Sequence, residues 1–353
     1  MTGSEAHIEQ ARRGEFFTAP VLESDLGTLL HRQEEIDAIF GSLKLEGIQR
    51  VFFVACGGAY AALYSGAYLL NRWTTIPSQV YSGFPFIRDV GPSVGPGTLV
   101  VLHSYSGETE DTVAALRFAR ERGATTLAFV RRSNTTLARK ADAAIAYDSI
   151  ALYASPLLLS YLLAMFMAEQ RGQGMREVEA LRTALPALPE HLGQVLRVTE
   201  PQARDDAARL RDVSLLYVLG SGPLWGLAYK FALTVFMENL RIHGSLIDPV
   251  EFRHGPCEML ERQQPHMVFL LGGKDTRTMD EQVLRFVQEH GAHTLVYDAA
   301  ALRTPHELLS PFTLLTPLEA FTVYGAVERG IYDLDARIFM GKGVLGAPGA
   351  VWP

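Results

Sequence analysis

Three hydroxyls within six residues are the densest polar chemistry in this chain. Ser104, Ser106 and Thr109 lie in His103-Ser104-Tyr105-Ser106-Gly107-Glu108-Thr109-Glu110-Asp111-Thr112. An apolar run at 98–102 precedes them and a helical pattern over about 109–122 follows, so they sit where a strand passes into a helix. The N–H groups there have no intrahelical partner and the local potential is positive, which suits a phosphate. The hydroxyls can donate to phosphate oxygens, and Gly107 lets the backbone approach closely. The alternative is plain hydroxyl capping of the helix, although Ser106 and Thr109 do not form a capping box. The segment is neither a P-loop, for it has no lysine, nor a dinucleotide GxGxxG turn.

A second group is Glu251-Phe252-Arg253-His254-Gly255-Pro256-Cys257-Glu258. Gly255-Pro256 punctuates the chain, which predicts His254 on a turn before a helix, where its ring can reach a cleft. Histidine titrates near neutrality and moves protons in both directions; the alternative is a histidine that satisfies loop backbone groups. Glu238 follows the apolar stretch 231–237, and a carboxylate beside so much hydrocarbon can act as a base with a raised pKa. Its alternative is a solvated helix residue. No HExxH occurs, and His290 and His293 have neither a cysteine nor a carboxylate cluster beside them, so they read as surface residues and no metal is expected.

The elements that must position these groups follow from composition and pattern. With 353 residues, 48% of them hydrophobic and 20% charged, the chain has material for two cores. A formal charge of −7 argues against a nucleic-acid partner. Only five of the 32 basic residues are lysines (Lys44, Lys140, Lys230, Lys274 and Lys342), so each is easy to follow. Cys56 and Cys257 make neither a disulfide framework nor a cysteine metal site. The N-terminus has no apolar signal core, and the longest apolar run, 157–168, falls short of the roughly 20 residues that cross a bilayer. A cytoplasmic protein without a membrane partner is expected.

Residues 1–48 read as an N-terminal helical segment. Short apolar strands are predicted at 51–55, 98–102, 125–130 and 143–147, with helices at about 59–72 and 109–122. The first strand ends at Cys56-Gly57-Gly58. A helical hairpin around 155–196 contains Pro186 and Pro189, the expected connection between domains. The pattern then restarts roughly 160 residues on, with a strand at 215–219, the turn Gly220-Ser221-Gly222-Pro223 and a helix over about 224–243. Strands at 267–271 and 294–297 flank a helix over about 279–290. Alternation at this pace predicts an α/β fold of parallel sheets with helices on both faces, 49–185 forming one domain and 200–353 the other.

Together these segments resemble the sugar-isomerase (SIS) domain family, in two flavodoxin-like three-layer copies. The residues 54–60 (VACGGAY) look like its strand-turn-helix opening, and HSYSGETEDT looks like its Ser-x-Ser-Gly-Glu-Thr phosphosugar loop. EFRHGP at 251–256 resembles the Glu-x-x-His-Gly-Pro segment of the isomerase half of glucosamine-6-phosphate synthase, and more closely that of the fructoselysine-6-phosphate deglycase branch. The resemblance implies that Ser104, Ser106 and Thr109 hold a sugar phosphate. It implies that Glu238, sixteen residues before His254, shuttles the proton, and that His254 opens the sugar ring from the neighbouring subunit of a homodimer. Lys342 matches a family lysine that closes over the sugar, or else is a solvated tail residue.

Two departures matter. Val235 stands where the synthase has a lysine that handles the sugar carbonyl, and Gly58-Ala59 replaces hydroxyl residues. With no glutaminase domain ahead of residue 50, the full synthase reaction is not expected. The second copy reads Gly272-Gly273-Lys274-Asp275-Thr276 in place of a hydroxyl loop, so one site per subunit is expected. The expected activity is a cofactor-free deglycase of a 6-phosphorylated ketosamine, giving a hexose 6-phosphate and an amine. The rivals are an aldose–ketose isomerase or aminosugar-phosphate deaminase, and a phosphosugar-sensing regulator.

Overall fold

A computed structural model describes residues 3–340, which fall into two compact units: 24–186 with 337–340, and 3–23 with 187–336. The sequence division of 1–48 as one segment runs across this boundary. Its helices are Gly3–Arg12, Leu22–His31 and Gln33–Ser42, and the units part after Glu23.

In the unit 24–186, five strands pair in parallel: β1 (Arg50–Val54), β2 (Ser78–Tyr81), β3 (Thr98–Ser104), β4 (Thr125–Val130) and β5 (Ala143–Ala146). Their order is β2-β1-β3-β4-β5. Every residue of β3 is buried, which explains its unbroken apolar run. Phe52, Val54, Val100 and Leu102 pack on one side against Phe86 and against Ala115, Leu116 and Ala119 of the helix Glu110–Glu121. The helix Ala154–Gln170 is buried from Ala154 to Met165 and crosses the helix Gly58–Trp73 closely, since a Cβ on Gly66 would come within 2.5 Å of Ser160 Cβ.

The unit 187–336 holds β6 (Leu215–Leu219), β7 (His243–Ile247), β8 (His266–Leu271) and β9 (His293–Asp298), also parallel, in the order β7-β6-β8-β9. That order repeats β2-β1-β3-β4. The helices Leu188–Arg209 and Ser310–Glu328 pack on each other, and residues 310–326 of the second are all buried. Among the described residues no helix is long and apolar enough to cross a membrane.

Two strands differ from the sequence expectation. β2 (SQVY) and β7 (HGSLI) are short edge strands, too polar or glycine-containing to show as apolar runs. The helix expected over 224–243 divides into a 3-10 turn at Gly222–Leu224, an α-helical turn at Trp225–Tyr229 and a π-helix at Lys230–Leu240. Arg241, at φ +57°, ends it, and β7 begins two residues later.

Candidate functional site

In the unit 24–186 the strand order reverses between β1 and β3, and ligands of open parallel sheets bind beyond the carboxyl ends of strands at such a point. β1 leads into Cys56-Gly57-Gly58, where Gly57 takes φ +58° at the start of the helix Gly58–Trp73. β3 ends on Ser104 itself.

The three sequence-predicted hydroxyls are brought together there. Ser104 Oγ lies 2.8 Å from Thr109 Oγ1 and 3.3 Å from Ser106 Oγ, and accepts the Gly107 N–H at 3.0 Å. Ser106 Oγ accepts the Glu108 N–H at 3.2 Å. Thr109 is the N-cap residue of Glu110–Glu121, yet its side chain makes no cap hydrogen bond. The hydroxyls therefore face one another rather than the helix end, and three O–H donors converge beside a helix N-terminus.

The neighbouring loop fixes this arrangement. Gly107 has φ +68°, and a Cβ on it would overlap the Thr135 hydroxyl. Its carbonyl accepts the Leu137 N–H at 3.0 Å. The Glu108 carboxylate accepts the Thr136 N–H at 2.7 Å, and hydrogen bonds from Thr136 hold that carboxyl below its ordinary pKa. The one acid between Ser106 and Thr109 is thus tied to the next helix. His103 is buried, with Nδ1 3.0 Å from the Phe129 carbonyl, and burial pushes its pKa down to about 4. It stays neutral near pH 7 and supports the strand end.

In the unit 187–336, Glu238 is half-buried in the last turn of the π-helix. π-helical turns are rare and occur frequently at functional sites. The backbone of β7 presses against this helix: a Cβ on Gly244 would overlap the Ala232 carbonyl. Val235, in the lysine position of the synthase, is buried. His254 lies exposed on the turn after the short helix Pro249–Phe252 and before the 3-10 helix Pro256–Glu261, as its Gly-Pro neighbours predict. Arg253 Nε donates to its Nε2 at 3.2 Å. Glu238 and His254 thus occupy different elements, separated along the chain by β7. Lys342 lies outside the described residues.

The turn of this unit that corresponds to the hydroxyl loop carries its own anion. Gly272-Gly273 opens the helix Lys274–Glu289, and the Lys274 N–H donates to Glu307 Oε2 at 2.9 Å. A Cβ on Gly273 would stand within 2.5 Å of the same oxygen. A carboxylate of the chain thus meets the helix N-terminus where the other unit gathers hydroxyls.

Two buried charged residues were given no role by the sequence reading. Lys230 and Glu319 are 4% and 1% exposed. Glu319 accepts the Thr18 and Ala19 N–H groups at 2.9 and 2.8 Å and the Thr18 hydroxyl at 2.9 Å. Burial nevertheless lifts its pKa to about 7, against the pull of Lys230. Burial lowers Lys230, while Glu319 and Glu238 act in the opposite direction. Lys230 also lies over the rings of Phe16 and Phe231, at 5.6 and 5.3 Å. The signal was present: a lysine in AYKFALTVF and a glutamate in LLTPLEAFTVY are single charges inside apolar runs, which survive burial only when paired.

Residues 44–170 match the SIS domain family. The fructosamine deglycase of Bacillus subtilis is 32% identical over 319 residues, covering 87% of this chain and 96% of that protein. The chain belongs to the SIS-domain family. The fructoselysine 6-phosphate deglycase of Escherichia coli K12 is 29% identical over 314 residues, covering 89% of this SIS protein and 92% of the relative. A crystal structure of a Bacillus subtilis protein assigned to the phosphosugar isomerases superposes with a TM-score of 0.80 at 30% identity, covering 88% of this chain and 96% of that one. The family match lies over the five-stranded sheet and its hydroxyl loop, and the longer alignments extend across both sheets.

Proposed function

We propose that this SIS protein is a deglycase that splits a 6-phosphorylated ketosamine into a hexose 6-phosphate and an amine. One observation carries the reading: similarity to the fructosamine deglycase runs over 87% of the chain. Val235 in place of the synthase lysine supports it, because a substrate that already bears nitrogen on C1 needs no lysine at its carbonyl. We read the two sheets as two SIS copies in one cytoplasmic chain, working as a homodimer with a site shared between subunits.

In this scheme Ser104, Ser106 and Thr109 donate to the phosphate, and His254 moves the ring proton as the sugar opens. The Glu238 carboxylate then takes a proton from C1 of the open chain. The C–H electron pair becomes the C1=C2 bond of an enaminol, and the C2 carbonyl oxygen is protonated. Return of a proton to C2 turns the C1=C2 pair into a C2–H bond, and the nitrogen lone pair forms C1=N, leaving a protonated C1 imine. Water adds at C1, the C1–N bond breaks, and the amine leaves with the aldehyde form of the hexose 6-phosphate. The C2 carbonyl is the electron sink.

Coupling hexose 6-phosphate release to a dehydrogenase tests this directly. An N-substituted fructosamine 6-phosphate should be turned over with kcat/KM at least about tenfold above glucosamine 6-phosphate, about 1.4 kcal/mol of transition-state discrimination. Preference for the unsubstituted aminosugar assigns the site to a deaminase. Interconversion of hexose phosphates without amine release assigns it to an isomerase.

A further inference from the structure

His293, a surface residue by its sequence context, pairs in the fold with a histidine 27 positions earlier. His266 opens β8 and His293 opens β9, and the parallel register sets them side by side. Their rings stack with centroids 4.6 Å apart and planes 17° from parallel. His290, the nearer histidine in sequence, instead packs on Phe286 and bonds its carbonyl.

The pair lines a cleft of about 310 Å³ together with Arg209, Leu210, Leu216 and Thr294. This volume is at the lower end of small-molecule sites. The cleft lies at the amino ends of β8 and β9, whereas the hydroxyl-equivalent turn Gly272-Gly273 lies at the carboxyl end of β8. It is therefore separate from that end of the sheet.

The lining has a definite chemical character. Arg209 is bonded to Asp206 of its own helix through one guanidinium nitrogen, and its side chain remains 67% exposed, which leaves donors of the fork for a second acceptor. His266 Nδ1 is buried and without a hydrogen-bond partner. Leu210 and Leu216 supply an apolar wall.

We propose that this cleft binds a small phosphate monoester, its phosphate held by Arg209 and the His266–His293 pair and its carbon portion against Leu210 and Leu216. Arg209 lines the cleft with both histidines and is bonded to Asp206. Burial first, and His293 second, hold His266 below its ordinary pKa. An anion between the guanidinium and the rings favours imidazolium, so its binding raises the histidine pKa values.

The test is proton NMR of the histidine rings in the full chain, with His266 and His293 assigned from His266→Gln and His293→Gln. Titration from pH 5 to 8 in phenyl phosphate, against chloride at equal ionic strength, should raise both apparent pKa values by about half a unit or more. Phenyl phosphate should act at lower concentration than inorganic phosphate because of the leucine wall. Arg209→Gln should weaken the response at least tenfold, and Ser106→Ala should leave it unchanged. Identical titrations in phosphate and chloride, or a response that survives both Arg209→Gln and His293→Gln, overturn the proposal.

Discussion

The loop after β3 shows how far single residues can be read. Ser104, Ser106, Gly107 and Thr109 were legible because their chemistry is local: three hydroxyls and a glycine between a strand and a helix mean much the same in any fold. What the sequence left open was capping against ligand binding. The geometry favours a ligand, since the Thr109 side chain does not cap its helix and Ser104 Oγ sits 2.8 Å from Thr109 Oγ1. Lys230 and Glu319 were not legible as a pair, because their proximity depends on two helices meeting across 89 residues of chain. If the hydroxyls hold phosphate, Ser106→Ala and Thr109→Val should each raise KM for the phosphosugar about tenfold or more, since a hydrogen bond to a charged group is worth about 1.5–3 kcal/mol. kcat should change much less, because the phosphate is bound alike in the ground and transition states. Unchanged KM in both variants would remove the loop from the site.

At the scale of elements, short apolar runs located the central strands. The strands at 125–130 and 215–219 fall where the apolar runs place them. The helix Ser310–Glu328 was not read at all: with residues 310–326 buried it has no polar face to set a period. The edge strands β2 and β7 bury too little to carry an apolar signature. β7 is held instead by contact with the π-helix, and Gly244→Ala tests this. The added methyl meets the Ala232 carbonyl, a backbone atom that cannot rotate away, so a loss of about 3 kcal/mol or more in urea unfolding is expected. A second element-scale prediction concerns Glu319, which ties Thr18 and Ala19 to the helix Ser310–Glu328. Its folded pKa of about 7 lies above the ordinary 4.5, so the folded state binds more protons than the unfolded state between these values. Stability from this group is full below pH 4.5 and is lost as pH rises toward 7. Glu319→Gln cannot titrate, so the wild-type-minus-variant stability difference should fall across that window and level off above it. A flat difference from pH 4.5 to 8 would mean that the carboxyl is ionised throughout.

For the whole molecule, the legible part was punctuation and repetition. The two units part after Pro186, and Pro189 lies in the first turn of the helix Leu188–Arg209. The restart of strand, glycine turn and helix at 215 corresponds to a sheet whose order β7-β6-β8-β9 repeats β2-β1-β3-β4. The pairing of residues 3–23 with 187–336 was not legible, because nothing in a helix's own pattern names its distant partner. Assembly is the remaining question at this scale, and the proposed division of labour makes it testable. His254 is exposed on a turn, and upstream of it Leu233, Met237 and Val250 are apolar side chains that are 40%, 40% and 36% exposed. If His254 serves the site of a second copy, Glu238→Gln and His254→Ala should each be inactive as pure homodimers. In a heterodimer one site would then receive both substitutions and the other neither, so mixing and re-equilibrating the variants should restore activity. At equal mixing half of the dimers are heterodimers with one intact site of two, so about a quarter of wild-type activity is the expected ceiling. Native mass spectrometry would establish that subunits have exchanged. Exchange without recovered activity would place Glu238 and His254 in the same subunit's site and remove the shared-site proposal, while leaving the deglycase reading to its own assay.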